Sequence, residues 1–118
     1  MSRDRGVRLQ NALADYLRQW WPLAESTGSG RHGTDVTNTP GVVWECKTAA
    51  EFLPARFCRQ AQAAAGSTGA VPVTVYFPPG FGAGSTGSVL AIMPLERMMG
   101  LLCEAGYAVA PEPEEAVP

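Results

Sequence analysis

One six-residue run, Val42–Lys47, constrains this chain more than any other part of its sequence. Its β-branched and aromatic residues predict a strand, and the run directly follows Asn-Thr-Pro-Gly at 38–41, a sequence typical of a tight turn. Because side chains alternate across a strand, Glu45 and Lys47 share one face of it. A buried charge without a partner is costly, so the fold has to give both charges a partner or a role.

Two interpretations of this charged pair stand side by side. Glu and Lys two residues apart are a weak signal alone, and an ordinary ion pair on a solvated sheet face explains them. Asp35 favours a functional site, because a hairpin between strands Asp35–Thr37 and Val42–Lys47 would bring it beside Glu45. Two neighbouring carboxylates repel each other unless a hard cation such as Mg²⁺ lies between them. We therefore predict a Mg²⁺ site formed by Asp35, Glu45 and the backbone carbonyl of Cys46.

The residue types of this predicted site point to one class of chemistry. A metal-bound water is a better nucleophile than free water, and the metal neutralises charge that develops on a phosphate. Lys47, the single lysine of the chain, would orient the water or stabilise the transition state. This arrangement indicates phosphodiester hydrolysis.

The rest of the chain predicts an α/β layer fold in one domain, residues 1–110, followed by an acidic, Pro-rich and disordered tail at 111–118. Apolar spacing predicts helices at Arg3–Trp20, Leu53–Ala65 and Leu95–Ala105. Further strands are predicted at Val71–Phe77 and Ser88–Met93, with a short edge strand at Glu25. The Gly-rich segment 81–87 lacks the Gly-Lys-Ser/Thr of a phosphate-binding loop and is interpreted as a hairpin connection.

The net charge of −2 does not by itself indicate a nucleic-acid-binding protein, but three of the eleven acidic residues lie in the tail. Eight of the nine basic residues are arginines, which bind phosphate in a bidentate manner. The candidate phosphate contacts, with a solvated surface as the alternative for each, are Arg3, Arg5, Arg8, Arg31, Arg56 and Arg59.

The number of cysteines and the hydropathy of the sequence indicate in which cellular compartment the protein is expected. Three widely spaced cysteines without a Cys-x-x-Cys motif argue against a disulfide framework or a zinc site. The sequence contains no apolar run of 18 residues, so we expect no membrane partner and a cytoplasmic protein. Among the three tryptophans, Trp20 and Trp44 fit core positions, and Trp21 is the candidate for stacking on a base.

The run Gly-Arg-His-Gly-Thr-Asp at 30–35, followed by Pro-Gly-Val-Val-Trp-Glu-Cys-Lys-Thr at 40–48, resembles the PD-(D/E)XK nucleases. The resemblance is greatest to small resolvase-like nucleases of phages, which are related to Holliday junction resolvases, and it extends from Arg5 to Tyr107. It implies a restriction-endonuclease-like mixed central sheet of about five strands flanked by helices. It also implies a Mg²⁺-dependent DNA endonuclease, with Mn²⁺ as a substitute, that cuts branched DNA such as Holliday junctions.

The resemblance also assigns roles to residues. Asp35 and Glu45 would be metal ligands, Lys47 the catalytic lysine, and Gln60 the active-centre glutamine of a Gln-Ala motif. Ser29 would lie in a loop that touches the DNA backbone. The protein would be a homodimer, in the host cell cytoplasm if it is phage-encoded. Met98, Met99 and Leu102 form either its interface or part of the core.

The chain departs from the family pattern at two positions. Thr34 stands where the family name places a proline, and Gln10 stands where many relatives carry a glutamate. An amide binds a second metal less well, which favours one Mg²⁺ and leads us to expect that Gln10→Glu is tolerated. Two alternatives remain open: a DNA-binding or structural module without catalysis, and a nuclease of the same fold that nicks duplexes or trims ends.

Overall fold

The computed structural model describes residues 2–28 and 33–112, without the side chains of residues 2 and 3. Its helices are α1 (Ser2–Leu17), α2 (Pro54–Ala65) and α3 (Leu95–Glu104). Its strands are β1 (Glu25–Ser26), β2 (Val36–Thr37), β3 (Val42–Lys47), β4 (Val71–Tyr76) and β5 (Leu90–Ile92). The Gly-rich segment connects the antiparallel strands β4 and β5, as the hairpin interpretation expects, and it contains a 3₁₀ helix, Ala83–Ser88. The mixed α/β class and the order of the elements are as predicted.

The strands form two sheets rather than one. In the larger sheet the order is β3-β4-β5, with β3 parallel to β4 and β5 antiparallel to β4. A parallel connection needs a long crossover, which α2 provides between β3 and β4. β1 and β2 pair with each other in a separate antiparallel sheet. The expectation of one central sheet of about five strands is therefore met in the number of described strands but not in their pairing.

The predicted hairpin between β2 and β3 is present only as isolated hydrogen bonds. Trp44 N–H donates to the hydroxyl of Thr34 at 2.9 Å. The N–H of Asp35 donates to the carbonyl of Trp44 at 2.7 Å. Cys46 N–H donates to the carboxylate of Asp35, also at 2.7 Å. The side chains of Thr34 and Asp35 thus occupy positions that backbone carbonyls fill in a regular ladder, so β2 and β3 do not form one.

Helices cover both faces of the larger sheet. Leu9, Leu13 and Leu17 of α1 pack in one buried cluster with Val73, Val75 and Phe77, and Trp44 and Cys46 lie against that cluster. On the opposite face, the Thr74 hydroxyl donates to the carbonyl of Phe57 on α2 at 3.1 Å. Because side chains alternate along β3, Glu45 and Lys47 emerge on the α2 side of this three-layer arrangement.

The structure reverses the predicted positions of Trp20, which was expected in the core, and Trp21, which was expected to be available for stacking on a base. α1 ends at Leu17, three residues before the predicted end, and the Trp21 N–H closes the last turn by donating to Leu17 at 2.9 Å. Trp20 then lies outside the buried stripe and is 59% exposed. Trp21 instead packs edge-on against Trp44, with 6.0 Å between the ring centroids. The extrapolation of helical spacing beyond the true end of α1 caused the error.

None of the helices in the described ranges combines the length and apolar character that crossing a membrane requires. Most of the predicted tail, residues 113–118, lies outside the described ranges.

Arg5 joins α1 to the segment after β4. Its guanidinium donates to the carbonyls of Phe81 at 3.1 Å, Pro78 at 3.1 Å and Phe77 at 3.4 Å. Arg8, one turn later on the same helix, is exposed and makes no side-chain hydrogen bond or ion pair within the described residues. The two arginines therefore differ in what they contribute to stability.

We expect Arg5→Met to lower the free energy of unfolding by about 2 kcal/mol, because charge-assisted hydrogen bonds to three carbonyls are lost. Arg8→Met is the matched control and should change it by less than about 0.5 kcal/mol. Urea unfolding followed by circular dichroism measures both values. Equal effects of the two substitutions would contradict the structural role of Arg5.

Candidate active site

Asp35 is held at the open edge of β3 from two directions. Its carboxylate accepts the Cys46 N–H. Its backbone carbonyl accepts a hydrogen bond of 2.9 Å from the side-chain amide of Gln10 on α1. The same amide donates to the Gly28 carbonyl at 3.3 Å and to the Thr27 hydroxyl at 3.4 Å. The first helix thus fixes the backbone that carries the predicted metal ligand.

The contacts of Gln10 argue against the expected tolerance of Gln10→Glu. Gln10 is only 7% exposed, and its Nε2 donates to oxygen acceptors alone. An ionised glutamate has no proton to donate, so its oxygens would face the carbonyls of Gly28 and Asp35 in a buried position. Gln10 therefore supports the backbone of Asp35. The sequence indicates Gln10 only as the replacement of a metal-binding glutamate and does not predict this role.

The carboxyl groups of Asp35 and Glu45 affect each other's pKa. Burial, followed by the negative charge of Asp35, raises the pKa of Glu45 to about 7, and Lys47 opposes this shift. The pKa of Asp35 is also raised by burial, although the Cys46 N–H and a hydrogen bond with Glu45 favour its ionised form. Burial and the charge of Asp35 therefore favour the protonated form of Glu45 in the absence of a cation.

Cys46 offers two possible metal ligands, its side-chain thiol and its backbone carbonyl. Burial, with added repulsion from the carboxylates of Asp35 and Glu45, raises the pKa of its thiol to about 12. The thiol is therefore protonated at neutral pH and is not a thiolate ligand. Its backbone C=O lies on the same strand edge as its N–H, which faces Asp35. The carbonyl is thus on the side of β3 where the prediction requires it.

Lys47 stands on the Glu45 face of β3, but it forms no close ion pair with the acidic residues. Within residues 2–28 and 33–112 the one ion pair joins Arg18 to Asp15. The Lys47 Nζ instead lies 5.8 Å from the centroid of the Phe57 ring on α2. Its charge still favours ionisation of Asp35 and Glu45. The ammonium group is therefore near both carboxylates and free to bind a further anion.

Other predicted site residues are placed less specifically. Gln60 is exposed on α2, one turn after Phe57, and no hydrogen bond orients it within the described residues. Arg8, Arg56 and Arg59 are exposed, whereas Arg5 donates to three carbonyls of the chain itself. The predicted DNA contacts Ser29 and Arg31 lie outside the described ranges. Contacts of these residues with DNA stay predictions.

The metal prediction depends on two carboxylates and a carbonyl. No group of three or more histidine, cysteine, aspartate or glutamate side chains suited to a metal was found in the described part of the chain. Mg²⁺ is commonly held by one or two carboxylates, with water and substrate phosphate as its remaining ligands. The donor set at Asp35, Glu45 and the Cys46 carbonyl fits that mode of binding, with a proton on Glu45 to be displaced.

The raised pKa of Glu45 predicts how stability depends on pH. The folded protein binds this proton more tightly than the unfolded chain, so protonation stabilises the fold. The contribution is complete below the ordinary value of 4.5 and is lost as the pH rises through about 7. Metal-free wild-type protein should therefore lose stability between pH 5 and pH 8. Glu45→Gln should lose much less, and urea unfolding at the two pH values measures the difference.

Comparison of the chain with models of protein families, with curated proteins and with solved structures found no match in any of the three.

Proposed function

We propose that this protein is a Mg²⁺-dependent DNA endonuclease that hydrolyses phosphodiester bonds in branched DNA. The observation that carries the proposal is the convergence of Asp35 and Glu45 at the open edge of β3, with Lys47 on the same strand. Two raised carboxyl pKa values beside an ammonium that forms no ion pair within the described residues are unfavourable for stability alone, and such perturbed groups are typical of functional sites.

Each side chain has a distinct task in this proposal. Asp35, Glu45 and the Cys46 carbonyl would hold the cation, with both carboxyl groups ionised. Mg²⁺ bound there would activate water for attack and neutralise charge on the scissile phosphate. Lys47 binds a non-bridging phosphate oxygen and stabilises the charge that grows on it. Gln10 fixes the Asp35 backbone from α1 and touches neither metal nor substrate.

The restriction-endonuclease-like fold belongs to the same proposal. Three features support it. β3 runs parallel to β4 and is joined to it through α2, β5 is antiparallel to β4, and β3 carries Glu45 and Lys47. β1 and β2, which form a separate sheet, would correspond to the remaining two of the about five strands that the family resemblance implies.

We expect Asp35→Asn, Glu45→Gln and Lys47→Ala each to lower the rate of Mg²⁺-dependent cleavage at least about 100-fold. The assay compares a four-way junction, a flap, a nicked duplex and a linear duplex, with Mn²⁺ as the second metal. Glu51→Gln is the matched control, because Glu51 is an exposed carboxylate shortly after β3. Its rate should stay within about twofold of wild type.

The outcomes separate the proposal from its alternatives. Cleavage of the nicked or linear duplex in preference to the junction indicates a nicking or end-trimming nuclease. Binding of branched DNA without cleavage in either metal indicates a DNA-binding module that lacks catalysis. Full activity in all three site variants removes the catalytic assignment itself.

A homodimer through α3 is the second part of the proposal. α3 is a ten-residue helix with no buried residue, although its apolar side chains form a wide stripe. Leu95 is 73% exposed, and Met98 and Met99 are each 42% exposed. Isolated helices of this length are marginal in water without packing. A second copy that covers this face would place two active centres in one symmetric particle, as symmetric cutting of a junction requires.

Sedimentation velocity at micromolar concentration should show a wild-type dimer. Met98→Glu should weaken it at least about tenfold, because a charge would enter an apolar interface. Leu23→Glu is the control, since Leu23 is 77% exposed and lies outside α3. A monomeric wild-type protein at these concentrations would rule out the dimer.

A cytoplasmic location, in the host cell if the chain is phage-encoded, is consistent with the chemistry of the cysteines. Cys46, Cys58 and Cys103 are all free thiols. Free thiols persist in reducing compartments.

A further inference from the structure

An exposed aromatic ring stands next to the predicted active centre. Phe52 is 49% exposed, although it belongs to an ordered aromatic cluster. Its ring centroid lies 4.9 Å from that of Tyr76 and 6.4 Å from that of Phe57. The Tyr76 hydroxyl donates to the carbonyl of Ala49 at 2.9 Å, which ties the cluster to the segment after β3. One face of Phe52 is thus supported by protein while the remainder of the ring is open.

The open side of this ring borders a cavity of about 480 Å³. Its lining residues are Phe52, Leu53, Pro54, Ala55, Arg56 and Arg59. The volume is within the range of roughly 300–1,000 Å³ that small-molecule sites occupy. Apolar surface that includes an aromatic ring, together with two arginines, matches a flat, uncharged base joined to an anionic phosphate.

The cavity is linked to the active centre through Phe57. The Phe57 ring contacts Phe52 on one side, and the Lys47 Nζ lies 5.8 Å from its centroid. Phe57 is 4% exposed, so it is a fixed spacer between the cavity and the lysine. A strand whose phosphate reaches Lys47 therefore has a neighbouring nucleotide close to Phe52.

We propose that this cavity binds one unpaired DNA base, which stacks on Phe52 while Arg56 and Arg59 hold the phosphate beside it. The inference rests on the nuclease proposal for the identity of the polymer and adds a preference for strands with an unpaired base near the cut. A base inside a continuous duplex is stacked on both sides and is not free to enter. The cavity thus selects branch points and single-stranded segments over regular duplex.

The charge around the cavity supports a nucleotide over an apolar peptide. Arg56 and Arg59 are three residues apart on α2, so they project on the same side of the helix. Glu51 is the acidic residue adjacent to Phe52 in the chain, but it does not line the cavity. The cavity wall therefore carries two positive charges and no negative one among its lining residues.

The experiment measures binding without cleavage. Fluorescence anisotropy in EDTA compares a labelled 12-nucleotide oligothymidylate with an abasic oligonucleotide of equal length and charge. Wild-type protein should bind the base-bearing strand about tenfold more tightly. Phe52→Leu should reduce this ratio to near one, because leucine keeps apolar volume and lacks a π face. Phe52→Tyr should preserve the ratio.

Substitution of the two arginines should change the measured affinities in a different way from substitution of Phe52. The double variant Arg56→Gln/Arg59→Gln should weaken binding of both strands by the same factor and flatten the salt dependence. Trp20→Leu and Arg97→Gln are matched controls, because they alter an exposed aromatic residue and an exposed arginine away from the cavity. Neither should change the ratio of the two affinities.

A measurement on the wild-type protein keeps the test independent of any variant's folding. The Phe52 ring resonances in NMR spectra should shift with the base-bearing strand and not with the abasic one. Absence of binding, equal affinity for both strands, or an unchanged ratio in folded Phe52→Leu would overturn the inference. Base-selective binding without Mg²⁺-dependent cleavage would support the base-binding cavity and contradict the nuclease proposal. Cleavage without base selectivity would support the nuclease proposal and contradict the base-binding cavity.

Discussion

The hydrogen bond from the Cys46 N–H to the Asp35 carboxylate organises the candidate site. In a regular hairpin this N–H would be bound by a backbone carbonyl of the neighbouring strand. Here a side chain takes that position, which brings a second carboxyl group to Glu45 and leaves the edge of β3 open at that point. The neighbouring charge of Asp35 raises the pKa of Glu45, in addition to the larger effect of burial.

The two faces of the larger sheet have different partners. One buried apolar cluster lies on the α1 face, and α1 also supports Asp35 through Gln10 and the segment after β4 through Arg5. On the α2 face, Glu45 and Lys47 share space with Phe57 and its aromatic neighbours. The alternation of side chains along β3 makes this division possible, because adjacent residues can serve a dry core and a charged centre.

The described surface leaves two features without a partner in the single chain. α3 presents apolar side chains and buries none of its residues, and the Phe52 cavity joins an aromatic ring to two arginines. They differ in chemistry: the first suits another apolar protein surface, and the second suits a nucleotide. A symmetric pair of chains would use the first for assembly and the second, once in each chain, for a DNA strand. The proposed function connects them without requiring that both be correct.

Local sequence patterns were enough to predict the helices and strands and to single out Asp35 and Glu45. The turn at 38–41, the strand that follows and the amphipathic helices are encoded in local periodicity, so their positions agreed within a few residues. Contacts between distant segments set the pairing of β2 with β1, the exposure of Trp20, the structural contacts of Arg5 and Gln10, and the cavity beside Phe52. These outcomes depend on which donors and acceptors meet between distant segments, and on where a helix stops, which local spacing does not encode.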